Sequence, residues 1–426
     1  MPEKHFEIEK DYVDRVILVG VATRENDSYI IESLNELKEL ATTAGAITLE
    51  KVIQNRESVH PGTYLGKGKI IEIKDLIYEL DATGIICDDE LSPAQLKNLE
   101  DILECKIMDR TMLILDIFAK RANTREGIIQ VELAQLQYRL SRLAGIGTSL
   151  SRLGGGIGTR GPGEKKLETD RRYIRSRISQ LRKELLDVKG HRDLIRERRK
   201  KQGKEKIAIV GYTNAGKSTL LNRLTDADVL EEDKLFATLD PTTRQLILPN
   251  GTEVFLTDTV GFIRKLPHHL IKAFQSTLEE AVVADILIHV VDSANEQADS
   301  HIRVVYETLE ELGATGKTVI TIFNKIDKEG SNKHLEDYNA YKTLLVSIKE
   351  GTGLQELLDI IEKKIQQDKR LIKEVISYDN GNLLNQIRIN GQIIKEEYKN
   401  EGTYIEAYVD DKIYGELNKI KTKVLI

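Results

Sequence analysis

The chain has 426 residues, of which 40% are hydrophobic and 31% are charged, and its formal net charge is −6. These totals predict a multidomain globular protein and exclude a disordered chain, while two cysteines are too few for a disulfide framework. Because the first ten residues contain no apolar signal core and no run reaches the roughly 18 apolar residues that cross a membrane, we expect a cytoplasmic protein without a membrane span. We also expect a monomer.

Residues 1–109 alternate short apolar runs with stretches of helical periodicity. The first apolar run is 16–22, and apolar residues at helical spacing follow over 30–40. This rhythm predicts a small parallel sheet covered by helices. Residues 61–69 are rich in glycine and contain two lysines, but they lack the spacing of a phosphate loop, which favours a structural turn over a phosphate site.

Residues 110–203 change to polar sequence with helical periodicity and a surplus of positive charge. Between Arg110 and Lys206 there are 25 lysine and arginine residues against 11 aspartate and glutamate residues, so this segment carries +14 and the rest of the chain −20. The pattern predicts a hairpin of two long helices, the second starting near Glu164, that buries a shared apolar stripe and displays charge outward.

A glycine-rich connection at 145–163 is predicted to join the two helices. It holds Arg152 and Arg160, and further cations flank it. A flexible basic tip of this kind can follow an RNA backbone closely, whereas the alternative is an unstructured connector beside a solvated charged face. The clustering of cations favours RNA binding, with backbone contacts rather than base stacking because aromatic residues are scarce there.

A nucleotide site is predicted where the αβ rhythm returns, in residues 204–366. The apolar run 206–210 is typical of a buried strand, and a helix follows it. Residues 211–218 fit G-x-x-x-x-G-K-[ST], a loop whose backbone N–H groups wrap phosphates, with Lys217 reaching the β/γ oxygens and Ser218 ligating Mg²⁺. The predicted phosphate-binding residues are Gly211, Tyr212, Thr213, Asn214, Ala215, Gly216, Lys217, Ser218 and Thr219.

Two later motifs, each after an apolar run, predict guanine specificity and a γ-phosphate sensor. Asp258 can hold a metal-bound water, and the amide of Gly261 can lie near the γ-phosphate. Asp327 can accept hydrogen bonds from guanine N1–H and N2–H₂, which adenine cannot supply, while Lys325 packs over the ring and Asn324 braces the loop. The predicted residues are Asp258, Thr259, Val260 and Gly261; Asn324, Lys325, Ile326 and Asp327; and Ser347, Ile348 and Lys349, whose backbone amides could reach guanine O6.

A threonine between these motifs should close over Mg²⁺ when GTP is bound, and Thr238, Thr242 and Thr243 are candidates. Thr238 is favoured because it lies 20 residues after Ser218 and 20 before Asp258, a spacing similar to that of small GTPases. The predicted metal ligands are therefore Ser218 and Thr238. The nucleotide-binding segment around this threonine comprises Phe236, Ala237, Thr238, Leu239 and Asp240.

The predicted catalytic residues are Lys217, Thr238 and Gly261. Small GTPases orient the attacking water with a glutamine after D-x-x-G, but here the residue is Phe262, which cannot hydrogen-bond to water, so we expect slow intrinsic hydrolysis that a partner accelerates. Asn214 could help to coordinate K⁺ near the phosphates, or it could only stabilise the loop, and the sequence leaves both interpretations open.

Residues 367–426 contain short alternating runs that predict a small α+β domain without a catalytic constellation. The predicted fold class is therefore α/β. It combines a P-loop GTPase domain at 204–366 with a preceding small αβ domain at 1–109 and a long basic helical hairpin at 110–203, followed by the α+β domain.

Three stretches resemble the HflX family of ribosome-associated GTPases. They are F-A-T-L-D-P-T-T-R at 236–244, D-T-V-G-F-I-R-K-L-P at 258–267 and G-P-G-E at 161–164. The resemblance covers nearly the whole chain. It implies GTP/GDP and Mg²⁺ as ligands, binding to the large ribosomal subunit and its RNA, and separation of stalled ribosomes under stress. We therefore expect a cytoplasmic protein that is partly ribosome-associated. It implies no role for residues 370–426.

Two other function classes remain open at this stage. The chain could be an RNA-remodelling NTPase that also uses ATP through its N-terminal domain, or a signalling GTPase that binds only proteins. The basic hairpin favours a ribosome-directed GTPase over both.

Overall fold

Four parallel strands form the first sheet of the computed structural model, which describes residues 13–24, 29–153, 162–201, 204–225, 235–267, 270, 275–409 and 411–424. The strands are β1 (Arg15–Ala22), β2 (Ile47–Asn55), β3 (Gly84–Cys87) and β4 (Lys106–Asp109), in the order β2-β1-β3-β4. Since β2 and β3 lie on opposite sides of β1, the carboxyl ends of β1 and β3 form the switch point at which α/β folds commonly bind ligands.

Helices with well-defined ends cover this sheet. They are α1 (Ile30–Ala44), α2 (Lys67–Glu79), α3 (Pro93–Leu103) and α4 (Arg110–Arg121). A capping box of Ser92 and Gln95 starts α3, and Gly45, with a φ of 93°, ends α1. Asp109 starts α4, because its carboxylate accepts a hydrogen bond from the Met112 N–H at 2.9 Å.

The basic segment contains one helix more than the two predicted. α4 ends at Arg121, and α5 (Arg125–Leu153) begins after Thr124, whose hydroxyl accepts a hydrogen bond from the Gly127 N–H. The second predicted helix is α6 (Pro162–Lys201). The separate α4 buries apolar residues such as Ile114 and Phe118, and it packs against both α1 and α5.

The glycine-rich connection was predicted over 145–163, but α5 continues as a helix through Leu153. Two interior glycines, Gly145 and Gly147, each cost a helix only about 1 kcal/mol relative to alanine, so the helix runs past them. Residues 154–161, including Arg160, lie outside the described residues. Arg177 of α6 makes a bidentate ion pair with Glu132 of α5, at 2.7 and 2.9 Å.

The second sheet has six strands in the order β10-β9-β8-β5-β7-β6, and only β6 is antiparallel to its neighbour. Its strands are β5 (Lys206–Gly211), β6 (Thr242–Ile247), β7 (Glu253–Asp258), β8 (Ile286–Asp292), β9 (Thr318–Asn324) and β10 (Lys342–Leu345). Its helices are α7 (Lys217–Thr225), α8 (Gln275–Val283), α9 (Ala298–Glu311) and α10 (Leu354–Gln367). The predicted α/β fold class is confirmed.

The predicted C-terminal α+β domain is also present. Strands β11 (Arg370–Ile376), β12 (Gln392–Lys399) and β13 (Gly402–Val409) form an antiparallel sheet in the order β11-β13-β12. Helices α11 (Gly381–Asn390) and α12 (Asp411–Val424) pack on its apolar side chains, which include Ile372, Ile405 and Ala407. This domain has its own hydrophobic core.

The described residues group into two compact units. The first contains those up to residue 186, together with those within 232–239 and 264–275, and the second contains the rest. Two short segments of the GTPase sequence thus belong with the N-terminal sheet. None of the described helices is long and apolar enough to cross a membrane.

Candidate nucleotide site

The phosphate loop connects β5 to α7 and depends on glycine at both ends. Gly211 and Gly216 have φ angles of 152° and 107°, which favour glycine. A Cβ at Gly216 would lie 2.5 Å from Asn324 Nδ2, and one at Gly211 would collide with the carbonyl oxygen of Val290. The loop therefore takes a tight course that leads the chain into the N-terminus of α7, where backbone N–H groups can face an anion.

Lys217 is buried at the start of α7, and its ammonium group points back at the loop. Its Nζ donates a hydrogen bond to the Tyr212 carbonyl oxygen at 2.8 Å. Burial lowers the pKa of Lys217 to about 8; Asp258 opposes this shift, and Lys325 adds to it. No carboxylate of the described residues forms an ion pair with this buried cation, which is therefore suited to receive phosphate oxygens.

A hydroxyl and a carboxylate meet beside the loop. Ser218 Oγ donates to Asp258 Oδ2 at 2.7 Å, and Asp258 is fully buried at the end of β7. Both oxygens are hard donors of the kind Mg²⁺ prefers. Among the described residues no group of three or more histidine, cysteine, aspartate and glutamate side chains could hold a metal ion, so Mg²⁺ here would need phosphate oxygens and water to complete its coordination.

The D-x-x-G segment lies against the phosphate loop. Phe262 donates its N–H to the Gly211 carbonyl at 3.1 Å and accepts from the Thr213 N–H at 2.9 Å. A Cβ on Gly261 would lie 2.7 Å from Thr213 Cγ2 and 2.9 Å from Lys217 Nζ. The Phe262 side chain is only 1% exposed, so it fills the core instead of facing a water molecule.

The guanine motif is braced on the phosphate loop. Asn324 Nδ2 donates to the Ala215 carbonyl at 2.9 Å, and Asn324 Oδ1 accepts from the Ile348 N–H at 3.1 Å. Lys325 Nζ donates to the Asn214 carbonyl at 2.8 Å. These bonds fix the motif between two strand ends.

Asp327 is held by the next strand end. Its Oδ1 accepts a hydrogen bond from Ser347 Oγ at 2.7 Å, and this bond is the main cause that lowers the pKa of Asp327. The carboxylate is therefore ionised at neutral pH and able to accept hydrogen bonds from a base. Adenine has no pair of donors for it, whereas guanine has N1–H and N2–H₂.

The candidate switch threonines belong to different compact units. Phe236 packs edge-on against Phe118 at 4.7 Å between ring centroids, and the segment that includes Thr238 belongs to the first unit. Thr242 begins β6 directly opposite Asp258 in the register, and Thr243 Oγ1 lies 3.0 Å from Thr257 Oγ1. The choice of Thr238 as the metal ligand stays a prediction.

Sequence reasoning missed Asp292, which lies at the end of β8 and forms an ion pair with Lys325 at 2.7 Å. The signal that revealed Asp258, a carboxylate at the end of an apolar run, also applies here, because Asp292 follows the buried residues 286–291. The pair holds the lysine that was predicted to cover the guanine ring.

A glycine-bounded phosphate loop, a Ser–Asp pair beside it and an Asn-Lys-x-Asp motif at the next strand ends define a GTP-binding P-loop GTPase. Residues 31–119 match the family described as GTP-binding GTPase N-terminal, residues 121–199 match its middle region, and residues 206–325 match the family described as 50S ribosome-binding GTPase.

Curated relatives cover almost the whole chain. The chain is 60% identical to GTPase HflX of Lacrimispora saccharolytica, over 96% of both chains, and 42% identical to GTPase HflX of Escherichia coli, over 83% of this chain and 84% of the relative. The chain belongs to the HflX family of GTPases, and it is a GTP hydrolase. A GTP-binding protein from Sulfolobus solfataricus, solved with GDP, is 26% identical over 83% of this chain and 99% of its own, with a TM-score of 0.43.

Proposed function

We propose that this GTPase binds the large ribosomal subunit and its RNA through the basic hairpin and separates stalled ribosomes during stress. The observation that carries the proposal is the two-sided character of α6. Ile174, Ile178 and Leu181 are buried, while Arg172, Arg175, Arg182 and Lys183 on the same helix are exposed. A helix that buries one stripe and displays arginines on the other fits an RNA backbone.

The four domains predicted from the sequence are the proposed working parts, with α4 added to the first because residues 31–119 match one N-terminal family model. The hairpin is the ribosome-binding part, and the GTPase domain controls it. The match of residues 206–325 to a family described as 50S ribosome-binding supports this assignment.

In the proposed hydrolysis, Lys217 holds β- and γ-phosphate oxygens, and the Gly261 amide donates to the γ-phosphate. Ser218 and Thr238 would hold Mg²⁺ with Asp258 beside them, and the ion would neutralise phosphate charge. Because Phe262 is buried, this chain supplies no side chain at that position to orient the attacking water. Contact with the ribosome orders the residues that position the attacking water, and the free protein therefore hydrolyses GTP slowly.

Large ribosomal subunits should stimulate GTP turnover at least about tenfold.

Replacing Arg172, Arg175, Arg182 and Lys183 with glutamine should weaken subunit binding and make it less sensitive to salt. Each lost phosphate contact lowers the slope of log affinity against log salt concentration by about 0.7 to 0.9. Steady-state turnover and sedimentation at several salt concentrations measure both effects. A control variant removes four exposed cations elsewhere, Lys328, Lys342, Lys363 and Lys373.

Stimulation below about threefold would remove the basis for ribosome-gated hydrolysis. Sedimentation of assembled ribosomes with the protein and GTP, or a nonhydrolysable analogue, tests separation directly. Salt-independent partner binding would instead support a protein-only signalling GTPase. ATP hydrolysis that persists after Lys217→Ala would support an RNA-remodelling NTPase with a second site.

We also propose that K⁺ accelerates hydrolysis through Asn214. This residue has a φ of 61°, and its carbonyl is held by Lys325, which fixes its position in the phosphate loop. Turnover should be about tenfold higher in K⁺ than in Na⁺ at equal ionic strength, and Asn214→Gly should abolish the difference. Glycine tolerates the same backbone angle, so this variant removes only the amide. Equal turnover in the two salts means that Asn214 only stabilises the loop.

A further inference from the structure

A cavity of about 290 Å³ lies within the first compact unit, where α3, α4, α5 and α6 meet β4. Its lining residues lie between 96 and 174, so they are separate from the phosphate loop, which begins at Gly211. All five elements contribute to one apolar wall, which consists of Leu96, Ile107, Met112, Leu115, Leu143 and Ile174. A concave apolar surface of this kind suits a small ligand that has an apolar part.

Arg142 borders the cavity with hydrogen-bonding capacity to spare. Its Nη2 donates to the Leu91 carbonyl at 3.1 Å and pairs with the buried carboxylate of Asp109. Its Nε and Nη1 are buried, and neither has a hydrogen-bond partner among the described residues. The side chain is only 11% exposed, and its guanidinium lies 4.2 Å from the centre of the Tyr138 ring. Because buried N–H groups without an acceptor are rare and costly, this arginine is suited to a ligand that brings an acceptor.

Three more charged side chains, Arg139, Glu100 and Asp116, stand at the exposed rim of the cavity. Burial is the main cause that raises the pKa of both carboxyl groups; Arg142 opposes this shift at Glu100, and Arg139 opposes it at Asp116. Within the described part of the chain, none of the three rim side chains makes an ion pair or a side-chain hydrogen bond. The rim therefore presents both signs of charge to whatever occupies the cavity.

A ligand with one charged group matches only half of this rim. An anion would meet the carboxylates of Glu100 and Asp116, and a cation would leave the N–H groups of Arg139 and Arg142 without an acceptor. A zwitterion satisfies both, because its carboxylate can accept from the arginines while its ammonium group donates to the carboxylates. An apolar side chain on the same molecule would cover the apolar wall.

We propose that this cavity binds a free α-amino acid with an apolar side chain. Its carboxylate lies between Arg139 and Arg142, its ammonium group lies at Glu100 and Asp116, and its side chain packs against the apolar wall. The site requires neither the bound nucleotide nor the proposed ribosome binding, because all of its residues belong to the first compact unit.

The test titrates the free protein with L-leucine and with two analogues that each lack one charged group. The first, 4-methylpentanoate, lacks the ammonium group, and the second, 3-methylbutylamine, lacks the carboxylate. L-leucine should bind one molecule per chain, at least about tenfold more tightly than either analogue, because only L-leucine meets both signs of charge. Isothermal titration calorimetry measures the three affinities, and a rise in Tm with L-leucine concentration confirms binding to the folded protein.

Two substitutions at the rim should act on different ligands. Arg139→Gln should weaken L-leucine and 4-methylpentanoate about tenfold and leave 3-methylbutylamine no weaker. Asp116→Asn should weaken L-leucine and 3-methylbutylamine about tenfold and leave 4-methylpentanoate no weaker. Leu96→Phe, which fills part of the cavity, should weaken all three. Arg142 is left intact, because its loss would leave the buried Asp109 carboxylate without this ion pair.

Arg24→Gln and Asp81→Asn are the matched controls, because these side chains are 87% and 93% exposed on the same compact unit and do not line the cavity. Neither should change the affinity for L-leucine, and thermal unfolding verifies that each variant is folded. Absence of saturable L-leucine binding, equally tight binding of an analogue, or an equal loss of all three ligands in folded Arg139→Gln or Asp116→Asn overturns the proposal. Nucleotide and ribosomes are absent from the titration, so its outcome is independent of the proposed function.

Discussion

Asp327→Asn should lower the affinity for GTP by ~10³-fold or more and transfer the preference to xanthosine triphosphate. We expect the carboxylate to accept hydrogen bonds from two guanine donors, and an amide would oppose one of them with its own N–H₂. Xanthine carries a carbonyl in place of the guanine amino group, so it can accept that hydrogen bond. Titration of the variant with both nucleotides measures the exchange of specificity.

The second nucleotide is the internal control for Asp327→Asn. Ser347 Oγ donates to Asp327 Oδ1. The amide oxygen of the variant can accept the same hydrogen bond, so the loop that carries residue 327 keeps this contact. An equal loss of both nucleotides would indicate local unfolding, and unchanged GTP binding would mean that Asp327 does not contact the base.

Lys217→Ala should lower kcat/KM for GTP by about 10³-fold, because the lysine is the buried cation closest to the expected β- and γ-phosphate positions. Its Nζ already points into the phosphate loop towards the Tyr212 carbonyl, so little reorganisation is needed when phosphate arrives. Steady-state turnover and nucleotide titration separate the loss in kcat from the loss in binding.

The pH dependence of affinity supplies the control for Lys217. Burial lowers the pKa of this lysine to about 8 in the free protein, and bound phosphate, which favours the charged form, raises it. Above about pH 8 binding must therefore take up a proton, and wild-type affinity should fall by up to about tenfold per pH unit until the bound pKa is reached. In Lys217→Ala this part of the pH dependence should be missing. Parallel profiles would show that Lys217 does not titrate.

The nucleotide site was predictable because its residues follow strands in short, local motifs. Gly211, Asp258 and Asn324 each stand at the carboxyl end of a parallel strand, and such ends meet at one edge of a sheet. An apolar run followed by a polar residue is therefore most of what is needed to predict that the residue lies at this edge of the sheet. Asp292 obeys the same rule but lacks a familiar motif, which is why it was missed.

Other features depend on packing between residues distant in the chain. Lys265 and Asp88 are 177 residues apart, and nothing local to either predicts the contact. α4 has the same helical periodicity as the hairpin, and the sequence does not show that it ends at Arg121 and packs against α1. The extension of α5 past Gly145 was mispredicted because glycine content indicates a loop more strongly than its modest helical cost justifies.

The attachment of α5 to β4 has a mechanical consequence. Tyr138 donates to Asp109 at 2.6 Å, Arg142 pairs with the same carboxylate, and Leu153 lies 11 residues further along the helix. At 1.5 Å per residue, α5 extends about 16 Å beyond Arg142. Asp109 also caps α4. A force applied at the end of α5 is therefore transmitted to a buried carboxylate that connects β4, α4 and α5. The described part of α5 is thus a stiff arm that Asp109 ties to β4 and α4 and that also packs against α3.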